Sequence, residues 1–155
     1  MKIRILSGGK VRQRYVLTGE GEYLERMTSV MPITVEDMGL SEPKSLSAPE
    51  TKRKEAKAYL DRIKEDEFAI VLDEGGDTLS SRQLADLLKD RMNKGTKRIC
   101  FVIGGPVGLD PAVIKRGDRV ISISPMTLPH HLVRLVLVEQ LYRAMTLIKG
   151  LPYHK

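Results

Sequence analysis

Residues 99–124 read ICFVIGGPVGLDPAVIKRGDRVISIS. The opening run, ICFVI, is apolar throughout and stops at two glycines, and a second run, VISIS, closes the stretch. Between them DPAVIKRG carries the signals of a short helix: Asp110 as cap, Pro111 in the first helical position and Gly117 as the stop. Strand, helix and strand in that order form a crossover unit, which joins parallel strands. Runs that are apolar at every position, rather than at alternate ones, suit strands covered on both faces. Upstream, FAIVLD (residues 68–73) is a run of the same kind. It is followed by a loop, EGGDTLSS, and by SRQLADLLKDRMNKG, an amphipathic helix closed by Gly95. Three such strands alternating with helices predict an α/β fold with a mostly parallel sheet flanked by helices.

Outward from this centre the signals weaken. KIRIL (residues 2–6) alternates charged and apolar side chains, reads as a strand and stops at Gly8-Gly9. A helix is predicted from about Gln13 to Met27, weakened by Gly19 and Gly21, then a short strand from about Ile33 and a loop, GLSEPKSLS. Ser47 and Glu50 form a capping box with Pro49 in the first turn. The helix they start is mostly charged, with a narrow apolar stripe of Ala56, Tyr59, Leu60 and Ile63. Its lysines and arginines, clustered at residues 52–57, read as a solvated face, with an RNA contact as the weaker alternative. No repeat, low-complexity tract or linker interrupts the chain, so one domain over residues 1–155 is expected.

The composition, 41% hydrophobic and 30% charged, is that of a globular protein able to bury its own core. Cys100 is the single cysteine and lies in an apolar run, which excludes an intrachain disulfide framework and predicts a buried core residue. The apolar stretch of the N-terminus is too short for a signal peptide, and VISISPMTLPHHLV is broken by prolines and histidines, so no membrane span is expected. A cytoplasmic protein fits these features. The 26 Lys and Arg against 20 Asp and Glu give a net charge of +6, compatible with a phosphate-rich partner. Five Tyr, two Phe and no Trp disfavour a platform that stacks several unpaired bases.

In open α/β sheets ligands bind beyond the carboxyl ends of the strands. Here the three apolar strands end in LDEGG, IGGPVGL and SISPMTLPH, all rich in glycine, small polar residues or proline, and suited to holding a ligand by backbone groups. GGPVGL is not a dinucleotide fingerprint, and neither a phosphate-binding P-loop nor a G-x-S-x-G elbow is present. His130, His131 and His154 lack metal-ligand spacing, so no metal is expected. The last predicted helix, in SISPMTLPHHLVRLVLVEQLYRA (residues 122–144), is apolar on several faces. That pattern suits burial against the core on one side and a second copy of the chain on the other. At 100° per residue Glu139, Gln140 and Arg143 share a face and Arg134 lies opposite. Glu139 and Arg143 form an i, i+4 pair, read either as local helix support or as an arginine aimed at a phosphate or substrate at a dimer seam.

IGGPVGL, SISPMTLPHHLVRLVLVEQLYRA and the terminal PYHK, at this separation, resemble the large-subunit ribosomal RNA methyltransferase H family of the SPOUT class. EYLERM, VLDEGG and the overall length extend the resemblance along the chain. It implies a homodimer of α/β chains with a C-terminal trefoil knot, which topology rules alone would have argued against. It also implies S-adenosylmethionine as cofactor and methylation of N3 of a pseudouridine in large-subunit (23S) ribosomal RNA on the assembled ribosome. By the resemblance the cofactor contacts are Leu72, Gly104 and Ile123, Ser124, Pro125, Met126, Thr127 and Leu128. Candidate catalytic residues near the seam and tail are Arg143, His154 and Glu139, with Tyr153 less central; a frayed, inactive terminus is the bland alternative for His154. Lys10, Arg12 and Arg14 are candidate RNA contacts. The competing readings are a non-catalytic RNA- or ribosome-binding module of the same fold and a SPOUT methyltransferase acting on tRNA.

Overall fold

The structure, a computed structural model, describes residues 1–40 and 46–154. Strands and helices alternate as β1 (Lys2–Ser7), α1 (Arg14–Thr28), β2 (Ile33–Asp37), α2 (Ala48–Arg62), β3 (Phe68–Thr78), α3 (Ser81–Asn93), β4 (Arg98–Ile103), α4 (Pro111–Arg116), β5 (Arg119–Ser122) and α5 (His130–Lys149). The strands make one parallel sheet in the order β2-β1-β4-β3-β5. The loop predicted after β2 lies largely outside the described residues.

The continuous apolar runs are explained by cover on both faces of the sheet. Ile70 and Leu72 of β3 and Ile99, Phe101 and Ile103 of β4 point into a core built with α1, α3 and α5. Their alternates, Ala69, Val71, Cys100 and Val102, meet α2 and α4 in a second core. Burial pushes the Cys100 thiol up to about 12, so it behaves as a packing group. The helix starts are fixed locally. Glu50 accepts from the Ser47 backbone N–H at 2.9 Å, Gln83 accepts from that of Ser80 at 2.8 Å, and Asp110 accepts from that of Ala112 at 2.9 Å. Gly150, at φ +67°, ends α5.

Two expectations need correction, and two residues take on roles that their neighbours in sequence do not disclose. EGGDT is not simply loop: β3 continues to Thr78, because its pairing with β5 shifts register between Leu72 and Asp77 and then resumes. Gly76 permits this, since a Cβ there would lie 2.6 Å from the carbonyl carbon of Ile121. Gly19 also brings α1 close to α5; a Cβ there would sit 3.2 Å from Leu135 Cδ1. Leu60 stands outside the buried stripe of α2 that contains Ala56, Tyr59 and Ile63. Arg134, opposite the polar face of α5, is buried, and its Nε lies 2.9 Å from both carboxylate oxygens of buried Glu20, with Asp37 on Nη1. Desolvation opposes this charge, but the bonds to Glu20 and Asp37 outweigh it and raise the Arg134 pKa.

Candidate active site

A cleft of about 840 Å³ opens at the carboxyl ends of β4 and β5 and beside the middle of β3, where its apolar run ends at Leu72. One wall is the turn after β4, Gly104 to Leu109; the other is the loop from Ser122 to the start of α5. The first wall is tight: Gly108 N–H donates to Gly105 O at 2.9 Å, Gly108 takes φ +79°, and a Cβ on Gly104 would lie 3.0 Å from the Gly108 carbonyl carbon. Tyr59 braces it from behind, its hydroxyl donating to Ile103 O at 3.0 Å. The second wall is pinned by its own serines. Ser122 Oγ donates to Ser124 O at 2.8 Å, and Ser124 Oγ accepts from Met126 N–H at 2.9 Å. Leu72, Gly104, Ile123, Ser124, Met126, Thr127 and Leu128 all line the cleft; Pro125, in the same loop, does not.

The rim is basic. Gln13 lines the cleft, and exposed Lys10, Arg12 and Arg14 flank it along the segment that buried Val11 anchors. Gly9 lets that segment lie against α5, since a Cβ there would meet His130 Nε2 at 2.7 Å. Asp73, Glu74 and His130 fall within the strand endings read as ligand-holding, whereas sequence reasoning missed Lys52 and His131 as lining residues. Asp73 and Glu74 follow the apolar run of β3 directly, which was a readable signal; Lys52 looks like any other lysine of α2.

The candidate catalytic side chains form a separate cluster, and none of them lines the cleft of their own chain. Arg143 donates to Glu139 Oε1 through Nε at 3.0 Å and Nη2 at 2.6 Å. Its Nη1 faces His154 Nδ1 at 3.5 Å, and the guanidinium lies 4.7 Å from the Tyr153 ring centre. Tyr153 OH is 3.1 Å from Glu139 Oε1 and 3.2 Å from Tyr23 OH. A phenol has one proton, so Tyr153 donates to the carboxylate and Tyr23 donates to Tyr153. Gln140 donates to Glu139 Oε2 at 2.6 Å. Glu139 is therefore saturated with donors and serves as a hub rather than a free base. Its hydrogen bonds raise the pKa of Arg143, while burial, Tyr23 and Glu139 raise that of Tyr153, which stays a neutral phenol at physiological pH. Along α5, Arg143 lies about 15 Å beyond cleft-lining Val133 at the rise of an α-helix. Tyr23, on α1, carried no local sign of joining the tail.

Fold and cleft together define an α/β protein with an open cleft at the carboxyl side of its parallel sheet. The chain belongs to the SPOUT methyltransferase family: the family model described as "Predicted SPOUT methyltransferase" matches residues 1–154. Among curated relatives, the ribosomal RNA large subunit methyltransferase H of Alkaliphilus oremlandii is 41% identical, and that of Finegoldia magna 40% identical, each over 100% of both chains. The protein of that name from Bacillus cytotoxicus is 42% identical, again over both full lengths. A solved structure of a methylase family protein from Neisseria gonorrhoeae shares the fold with a TM-score of 0.53, at 17% identity, over 91% of this chain and 81% of that one.

Proposed function

We propose that this chain methylates large-subunit ribosomal RNA with S-adenosylmethionine, at N3 of a pseudouridine in the assembled ribosome, as a homodimeric, single-domain, cytoplasmic enzyme with a C-terminal trefoil knot. One observation carries the reading: three loop endings far apart in sequence converge on one cleft, which Gln13 joins from the segment that carries exposed Lys10, Arg12 and Arg14. The names of the full-length relatives favour ribosomal RNA as the substrate. The cleft fits the cofactor on its own evidence. Its volume is that of a pocket for a drug-sized ligand. Its walls combine a glycine turn and small polar residues with apolar side chains such as Leu72, Ile103 and Leu128, and its charged lining, Lys52 with Asp73 and Glu74, offers both signs to a zwitterion.

When bound, the cofactor supplies a methyl group on a sulfonium, already activated for displacement. The residues of the chain must align the nucleoside, exclude water and manage the proton that N3 loses. Lys10, Arg12 and Arg14 hold RNA phosphates at the rim. Arg143 cannot accept a proton and instead stabilises the negative charge that spreads over the pyrimidine carbonyls as N3 is deprotonated. With Nδ1 accepting from Arg143, a neutral His154 carries its proton on Nε2 and donates from there. To accept the proton of N3, it must first release that contact.

A second copy brings the two parts together. Leu132, Leu135 and Val136 on α5 stay half-buried in the single chain, while Tyr15, Leu17 and Met126 stand exposed. The tail cluster of one protomer then closes the cleft of the other. Calorimetric titration with S-adenosylmethionine, followed by transfer of labelled methyl groups to ribosomes and to tRNA, tests the reading. Saturable binding and label in large-subunit RNA support it; binding without transfer, or label in tRNA alone, contradicts it.

A further inference from the structure

We propose that Lys52 is the residue that recognises the α-carboxylate of the cofactor's methionine moiety, an inference that rests on the cofactor reading above. The α2 helix carries four basic residues in its first turns, and they divide by environment. Arg53, Lys54 and Lys57 are exposed, whereas Lys52 is half-buried and lines the cleft. Its ammonium lies across the turn after β4, 3.5 Å from where a Cβ on Gly108 would stand. Gly108 takes φ +79° and carries no side chain, so nothing at that position separates the ammonium from the turn.

Lys52 is the one lysine or arginine among the described residues lining the cleft, and no ion pair holds it there. A cation drawn partly out of water without a protein partner favours an anionic group in the space it faces. The carboxylate is the only anion S-adenosylmethionine presents. Asp73 and Glu74 enter the same cleft from the middle of β3 and would repel a carboxylate while attracting the ammonium and sulfonium. The charged lining thus orients the methionine end, carboxylate toward α2 and cationic groups toward β3. RNA phosphates have an alternative set of cations, Lys10, Arg12 and Arg14 on the outer rim, and do not need Lys52.

Titration calorimetry with two ligands tests this: S-adenosylmethionine and its decarboxylated form, which keeps the sulfonium and lacks only the carboxylate. The wild-type chain should bind the decarboxylated ligand about tenfold more weakly, the worth of one charge-assisted hydrogen bond. Lys52→Gln should weaken S-adenosylmethionine by about the same factor, leave the decarboxylated ligand unchanged, and so abolish the discrimination. Lys52→Arg should restore most of it. Equal losses for both ligands would assign Lys52 a structural part and overturn the proposal, as would no loss for either. Unchanged cofactor binding with a shallower salt dependence of ribosome binding would give Lys52 to an RNA phosphate instead. A wild-type chain that binds neither ligand would overturn the cofactor reading itself, a result distinct from any change confined to the variants.

Discussion

One wall of the cleft is a glycine turn, with Gly104, Gly105 and Gly108, and the other a loop pinned by Ser122 and Ser124, whereas the tail cluster consists of side chains, Glu139, Arg143, Tyr153 and His154, each held by the next. A glycine turn is disturbed by added bulk. A side-chain cluster is the reverse: one substitution removes a function and leaves the fold. On the proposed dimer, the cleft would hold its ligand within a single chain, and the cluster would act where a neighbouring copy's cleft meets it. The α5 helix belongs to both regions, with Val133 at the cleft and Glu139 and Arg143 in the cluster.

The largest expected effect breaks that shared element. Arg134→Ala leaves Glu20 as a buried charge without its partner and should cost about 3–5 kcal/mol in urea unfolding. The double replacement of Arg134 by Met and Glu20 by Leu should recover much of that loss, since no charge is then stranded. A loss under about 1 kcal/mol for Arg134→Ala would show that the ion pair is not what holds α5.

Next in size, Gly104→Val should abolish the cleft alone. Its added carbons meet the Gly108 carbonyl and Leu109, so cofactor affinity in calorimetry should fall about a hundredfold, with an overpacking cost of about 1–3 kcal/mol in urea unfolding. His154→Ala should do the opposite, cutting methyl transfer about tenfold with cofactor affinity nearly intact. Smaller still, Tyr23→Phe removes one hydrogen bond to Tyr153 and should lower turnover about twofold to fivefold without changing cofactor affinity. A loss of cofactor affinity in either His154→Ala or Tyr23→Phe would show that the cluster takes part in holding the cofactor, and the separation of the two regions would fail.

The same contrast explains what the sequence disclosed. Strand endings were legible because an apolar run that stops at glycine or a small polar residue is a local signal, and parallel topology sends all such endings to one edge. FAIVLD, ICFVI and VISIS therefore located the cleft, and the capping box at Ser47 and the cap at Asp110 marked two helix starts. The return of β3 to pairing at Asp77 was not legible, because it depends on Gly76 fitting against β5 rather than on its neighbours in sequence. Glu20 and Arg134 stand 114 positions apart, and neither carries a local mark of burial. Lys52 was hidden among equivalent lysines until the packing of α2 turned it inward. Glu139 and Arg143 were readable as a pair by spacing, but their distance from the cleft was not.

Complementation in mixed dimers tests the central claim, that a cleft from one copy works with a tail from the other. Gly104→Val chains, with intact tails, would be co-refolded with His154→Ala chains, with intact clefts, and assayed for methyl transfer to ribosomes. If the two parts come from different copies, each mixed dimer contains one intact cleft facing one intact tail, and activity should return well above that of either variant alone. If the site is built within one chain, every cleft in the mixture is either blocked or paired with a defective tail, and activity no higher than that of His154→Ala alone would contradict the account.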